Sequence, residues 1–177
     1  YMLLGQKEAD KLTATVAPYA DVAANRWSAG AIAYCTNEGI LAGDGNGRFN
    51  PTAPVLGTQF AKMLLVALGY DPKIEKLVGN EWAIKTAKLA LSDDVDLDNG
   101  MEKLSLSDNL TREQAAKIVA VMLLGEEDAN KLSTNSTTFK DVAANRWSAG
   151  YIGYCVQQGI LAGTGNGNFD PEGELTG

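Results

Sequence analysis

The sequence predicts an all-α fold of tandem helix–loop–helix units joined by glycine-rich loops. Three observations predict it. The chain matches itself at an offset of 120 residues: Asp21–Gly57 and Asp141–Gly177 are identical at 24 of 37 positions, with DVAANRWSAG and GILAG repeated unchanged. Apolar residues recur at helical spacing in Phe60, Met63, Leu64, Ala67 and Leu68, and again in Ala115, Ile118, Val119 and Met122. Between the helical stretches lie glycines at alternate positions, Gly43, Gly45 and Gly47, repeated at Gly163, Gly165 and Gly167, which require loop or tight turn. Repetition on this scale identifies an array of small units.

The first full unit spans residues 19–69. An irregular opening leads to a helix starting near Ser28, a candidate N-cap. Gly39 ends it in a Schellman motif, with Cys35 at C3 and Ile40 at C″. The glycine-rich loop follows, anchored by Phe49, and then a second helix over Thr58–Leu68 with Gly69 as its stop. A degenerate unit fills residues 70–125. Its first helix begins at Trp82 and runs to about Leu91, and the acidic stretch Asp93–Gly100 replaces the glycine loop. Its second helix, Thr111–Gly125, has a capping box of Thr111 with Gln114, and Glu113 near the positive helix end. Residues 126–138 hold a short helical piece and a polar linker, and a third unit occupies residues 139–177. Residues 1–18 read as the tail of a preceding unit plus linker, because Tyr1–Leu12 parallels Val121–Leu132. By this reading the sequence starts and stops within a repeat. No unit is large enough to bury a core alone, so the units are expected to pack on one another.

Composition excludes several function classes. A net charge of −7 and four dispersed arginines, Arg26, Arg48, Arg112 and Arg146, do not make the cationic stripe of a nucleic-acid surface. Histidine is absent, which removes His-based nucleophilic triads and His-ligated zinc. Nothing singles out a catalytic carboxylate pair. No apolar run is long enough to predict membrane insertion. Gly45 and Gly47 do not make a nucleotide loop, since Phe-Asn-Pro follows where Gly-Lys-Ser/Thr is needed. Asp94, Asp96 and Asp98 alternate as in a calcium loop, but Asn99 replaces the turn glycine and Ser105 the bidentate acid, so a solvated acidic loop is expected. Cys35 and Cys155 read as small apolar side chains rather than a disulfide. No cofactor or metal is implied.

The ordered landmarks Phe139-Lys140-Asp141-Val142, Trp147, Gly159-Ile160, Gly163, Gly167, Phe169, Pro171 and Leu175-Thr176 resemble the S-layer homology (SLH) repeat of bacterial surface proteins. The first unit carries the same series from Tyr19-Ala20-Asp21-Val22 to Pro51, and Thr111-Arg112-Glu113-Gln114 resembles the family's Thr-Arg-Ala-Glu signature. The resemblance implies three units packed as a pseudo-threefold bundle. It also implies non-covalent attachment to secondary cell-wall polymer, often pyruvylated, and hence an extracellular place on the bacterial wall. Transferred to matching positions, the glycan-binding residues are Arg112, Asp21, Trp27, Gly43, Asp141, Trp147 and Gly163. The signature Arg is replaced by Gly57 in the first unit and Gly177 in the third. That departure motivates the alternative of a protein-interaction or self-assembly module.

Each residue also has a purely structural reading. Arg112 at N1 either joins the helix N-terminus in seating an anion or is a solvated neighbour of the capping box. Trp27 and Trp147 either stack on a sugar or plug each helix against the next unit, and core packing is the expectation. Asp21 and Asp141 are expected to accept backbone N–H groups of their own turn.

Overall fold

The computed structural model describes residues 4, 6–79, 81–92, 95, 96, 101, 104–132 and 138–176. Among them are seven helices: α1 (Gln6–Ala9), α2 (Ala29–Asn37), α3 (Gly57–Ala67), α4 (Trp82–Ala90), α5 (Arg112–Leu124), α6 (Glu126–Ala129) and α7 (Ala149–Gln157). The only extended pairings among the described residues are isolated bridges. Most of Asp93–Gly100, together with Gly177, lies outside the described residues, so the acidic loop and the second missing-Arg position are not characterised.

Local chemistry accounts for the helix ends. At Gly39 (φ 72°) the Ile40 N–H donates to Cys35 O at 2.9 Å and the Gly39 N–H to Thr36 O at 3.0 Å, the two bonds of a Schellman stop. Ile160 to Cys155 (2.8 Å) and Gly159 to Val156 (3.0 Å) repeat them. α5 opens with the expected capping box: the Thr111 N–H donates to Gln114 Oε1 at 2.9 Å, and Thr111 Oγ1 accepts from the Gln114 N–H. Ser28 does sit before α2 but does not cap it; its hydroxyl accepts a bond from Arg26 Nε at 2.9 Å instead.

The helices pack as α3 on α4, and α5 on both α6 and α7. One apolar cluster joins Ala61, Leu64 and Leu65 of α3 to Ala90, Leu110, Ile118 and Leu175. A second joins Ala116, Val119 and Ala120 of α5 to Ile152, Cys155 and Phe169, and half-buried Phe60 touches both. α5 is therefore covered on two sides, and its buried set is wider than the predicted stripe. Val22, Ala29 and Ile32 form a small third cluster with Tyr19 and Phe49.

The buried face of α3 differs from the periodicity reading. It consists of Gly57, Thr58, Ala61, Leu64 and Leu65, while Leu68 is exposed. The segment around Leu106 crosses the helix start: a Cβ on Gly57 would lie 2.6 Å from Leu106 Cα, and Leu106 shares a cluster with Ala61, Leu64 and Leu65. The same approach explains why no arginine stands at position 57. Three backbone bonds then link the segments around Val55, Leu110 and Leu175 in a closed ring: Val55 N–H to Leu175 O (2.8 Å), Leu175 N–H to Leu110 O (2.8 Å), and Leu110 N–H to Val55 O (3.0 Å).

Candidate functional site

The site is built from two glycine loops and the helix ends that meet them. In each copy an opening aspartate ties the loop down. Asp21 accepts the N–H groups of Phe49 and Asn50 at 2.9 and 2.8 Å, and Asp141 those of Phe169 and Asp170 at 2.9 and 2.7 Å. The partners lie 28 and 29 residues away, so these carboxylates clamp the far end of the loop rather than their own turn. The amide bonds, led by that from Phe49, hold the Asp21 carboxyl below the usual range. At Asp141 burial pushes upward, yet the Phe169 and Asp170 amides and Arg146 prevail and lower it.

Gly43 and Gly163 sit where the loop folds back on the opening aromatic ring. A Cβ at Gly43 would lie 2.5 Å from both Arg48 O and Tyr19 Cε1, and one at Gly163 2.6 Å from Phe139 Cε1. Those rings pair with the loop anchors, Tyr19 with Phe49 at 5.4 Å and Phe139 with Phe169 at 5.5 Å between centroids.

Arg112 reaches from α5 into the last copy. Its Nε donates to Phe169 O at 2.8 Å, its Nη2 to Ala162 O, and the guanidinium lies 4.5 Å from the Phe169 ring centroid. The side chain is half-buried, not solvated. The first amides of α5 are engaged too: Arg112 N–H donates to Gly173 O at 2.9 Å and Glu113 N–H to Pro171 O at 3.0 Å. The structure thus gathers Arg112, Asp141 and Gly163 at one junction, while Asp21 and Gly43 build the corresponding loop of the first copy.

The tryptophans correct the core-packing expectation. Trp27 is 83% exposed and Trp147 50% exposed. The adjoining Ser28 and Ser148 are buried instead. Trp147 instead lies 6.4 Å from the Tyr151 ring, with Lys117 Nζ 5.9 Å from the centre of that ring.

Sequence reasoning missed the polar centre of the junction. Glu113 is buried and receives two bonds from Arg146 (2.7 and 2.9 Å) and one from Ser148 (2.6 Å). The Glu113 contact, followed by that to Glu172, raises the Arg146 guanidinium above its ordinary value. The available signal was Arg-Trp-Ser repeated in both copies opposite a single Arg-Glu helix start. Cys155 donates its thiol to Ala116 O at 3.4 Å, and burial pushes it up to about 12. Both cysteines are free; Cys155 is buried as expected and Cys35 only half-buried.

Comparison with known proteins fits this arrangement. The S-layer homology domain family matches residues 18–61 and 138–177. Both stretches belong to the S-layer homology family. The chain is 37% identical over 76 residues to a cell surface protein of Thermoanaerobacter kivui, covering 43% of this chain and 10% of that relative. It is 37% identical over 68 residues to a cellulosome-anchoring protein of Acetivibrio thermocellus, covering 38% of this chain and 15% of that relative. The chain therefore matches less than a fifth of the length of either relative. Among the described residues, no helix is long and apolar enough to cross a membrane.

Proposed function

We propose that this chain is a non-catalytic module anchoring a larger polypeptide to the bacterial wall, through pyruvylated secondary cell-wall polymer on the peptidoglycan. The S-layer homology matches make it a cell-surface, wall-associated protein. The relative named a cellulosome-anchoring protein supports the anchoring role. The observation that carries the glycan reading is half-exposed Trp147 beside the half-buried Tyr151 ring, with Lys117 next to that ring. Flat rings left partly in water offer a stacking face for a sugar, and a nearby ammonium offers charge to a pyruvyl carboxylate. In this reading Trp27 is the matching face of the first copy. Gly43, Gly163, Asp21 and Asp141 shape the two glycine loops, and Arg112 adds fixed positive charge at the loop of the last copy.

We propose with it a pseudo-threefold arrangement of the units 19–69, 70–125 and 139–177. The closed ring of bonds through Val55, Leu110 and Leu175 supports that arrangement. The test is co-sedimentation with purified sacculi before and after extraction of the secondary polymer. Pelleting should disappear with the polymer and weaken about tenfold in Trp147→Ala, the loss expected for about 1.4 kcal/mol of stacking. Equal pelleting on stripped sacculi would overturn the reading.

A second reading, a protein-interaction or self-assembly module, is favoured by one observation. The guanidinium of Arg112 is already bound to loop carbonyls. Concentration-dependent association in light scattering, without sacculus binding, would select it.

A further inference from the structure

The glycine loops carry Gly-Asn-Gly twice, at Gly45–Gly47 and Gly165–Gly167. An asparagine followed by glycine is open to attack on its own side chain, because no side chain on the next residue shields the backbone nitrogen. The reaction needs the peptide unit after the asparagine to swing until its nitrogen meets Cγ. What holds that unit therefore decides whether the side chain survives, and the two copies differ there. A further Asn-Gly pair, Asn99-Gly100, lies outside the described residues.

In the last copy the unit between Asn166 and Gly167 is held. Gly165 and Asn168 close a tight turn, with Asn166 at φ 54° and Gly167 at φ 80°, and the Asn168 N–H donates to Gly165 O at 3.0 Å. Lys140 Nζ donates to Asn166 O at 2.9 Å, and its stem covers Gly167, where a Cβ would lie 3.1 Å from Lys140 Cε. In the first copy two substitutions remove both holds. Ala20 stands in place of Lys140, and a Cβ at Gly47 would meet nothing within 4 Å. Asp44 stands in place of Thr164, and its carboxylate accepts the N–H groups of Asn46 and Arg48 at 2.8 and 3.1 Å. The Arg48 N–H is thereby drawn to a side chain and away from Gly45 O, and Asn46 keeps a negative φ. Asp44 thus pins the amides on either side. The unit between them is bound at neither Asn46 O nor the Gly47 N–H among the described residues, and both residues are exposed.

We propose that Asn46 is a site of spontaneous covalent modification by water, and that the fold protects Asn166 from the same reaction. The Gly47 nitrogen bonds to Asn46 Cγ and gives up its proton to a base in the solvent. The bond from Cγ to the side-chain nitrogen breaks, ammonia leaves, and a cyclic imide remains. Water then adds at one of the two imide carbonyls and reopens the ring. The product is aspartate, or isoaspartate with the backbone routed through the former side chain. In sum one water is taken up and one ammonia released. Each event puts a second carboxylate beside Asp44, while the loop of the last copy stays neutral at this position, so two matching loops diverge in charge as the protein ages. The reaction needs no bound glycan and is independent of the anchoring proposal.

The experiment keeps the full chain in warm, mildly alkaline buffer and digests it at acid pH. Mass spectrometry then follows the two peptides, with electron-transfer fragmentation separating isoaspartate from aspartate. Asn46 should convert about tenfold faster than Asn166, the factor that one net hydrogen bond supplies, with isoaspartate among the products. In urea the two rates should meet, because each site is then Gly-Asn-Gly without a fold around it. Lys140→Ala should speed conversion of Asn166 and Ala20→Lys should slow that of Asn46, each about threefold and with the other site unchanged. Four results would overturn the proposal: equal rates in the folded protein, a gap that persists in urea, rates indifferent to both substitutions, or aspartate formed without isoaspartate. Sacculus binding is read separately, so failure here leaves the anchoring proposal to its own test.

Discussion

Two stretches identical at 24 of 37 positions meet different surroundings in this molecule. Asp21–Gly57 and Asp141–Gly177 share their helix, Schellman stop, glycine loop and aspartate clamp. In the last copy α5 lies against the helix and loop, and Phe169 and Cys155 are fully buried. In the first copy Phe49 and Cys35 remain half-exposed at the wall of an open cleft. The difference teaches that local sequence sets the shape of the unit, while burial depends on which neighbouring helix arrives. Burying the same side chain under a partner is what turns shape into stability.

The comparison can be broken most sharply at the loop anchors. Phe169→Ala should cost about 4 kcal/mol in urea unfolding, as a fully buried aromatic does, and Phe49→Ala about half as much. Equal losses would mean that both faces are covered in solution. The next largest contrast is electrostatic. Arg146→Ala leaves Glu113 buried without its cation and should cost about 3 kcal/mol, while Arg26→Ala should stay within about 0.5 kcal/mol. A large effect at Arg26 would show that it has acquired a carboxylate.

The cysteines sharpen the contrast kinetically. Burial raises both thiols, Cys155 up to about 12, but only Cys155 is fully covered. Iodoacetamide should therefore modify Cys35 at least about tenfold faster, a difference checked by mass spectrometry of peptides from the folded protein. The smallest effect is at the clamps. Both carboxyls are held below their ordinary value, so their stabilisation is complete above the unfolded-state value and lost as pH falls through the folded one. Asp21→Asn and Asp141→Asn should each flatten the acid limb of a stability–pH curve below about pH 4. No change in slope would mean that the loops hold without the clamps.

Much of this was legible in the sequence. The Gly39 and Gly159 stops, the capping box of α5 and the span of α4 depend on neighbours within a few residues, so spacing alone reveals them. The parallel of Tyr1–Leu12 with Val121–Leu132 marks a repeated contact: Leu12 and Leu132 lie over Gly30 and Gly150, where a Cβ would collide with them. The site was less readable. Asp21 and Asp141 were marked, but their partners stand 28 and 29 residues away. Trp27 and Trp147 read as plugs between each helix and the next unit, yet both rings are exposed. Glu113 was read as a dipole partner at a helix start, since nothing local announces Arg146 across 33 residues.

By itself the sequence determined the repeated stretches, their helices, the Gly39 and Gly159 stops and the glycine loops, because hydrogen bonds over three to five residues and left-handed glycines fix those features locally. Only the tertiary structure decided which face of α3 is buried, that Gly57 excludes an arginine, and which of the two matching loops lies under a helix. Those outcomes depend on approaches between segments far apart in the chain, and a repeated sequence cannot encode which of its copies receives the partner.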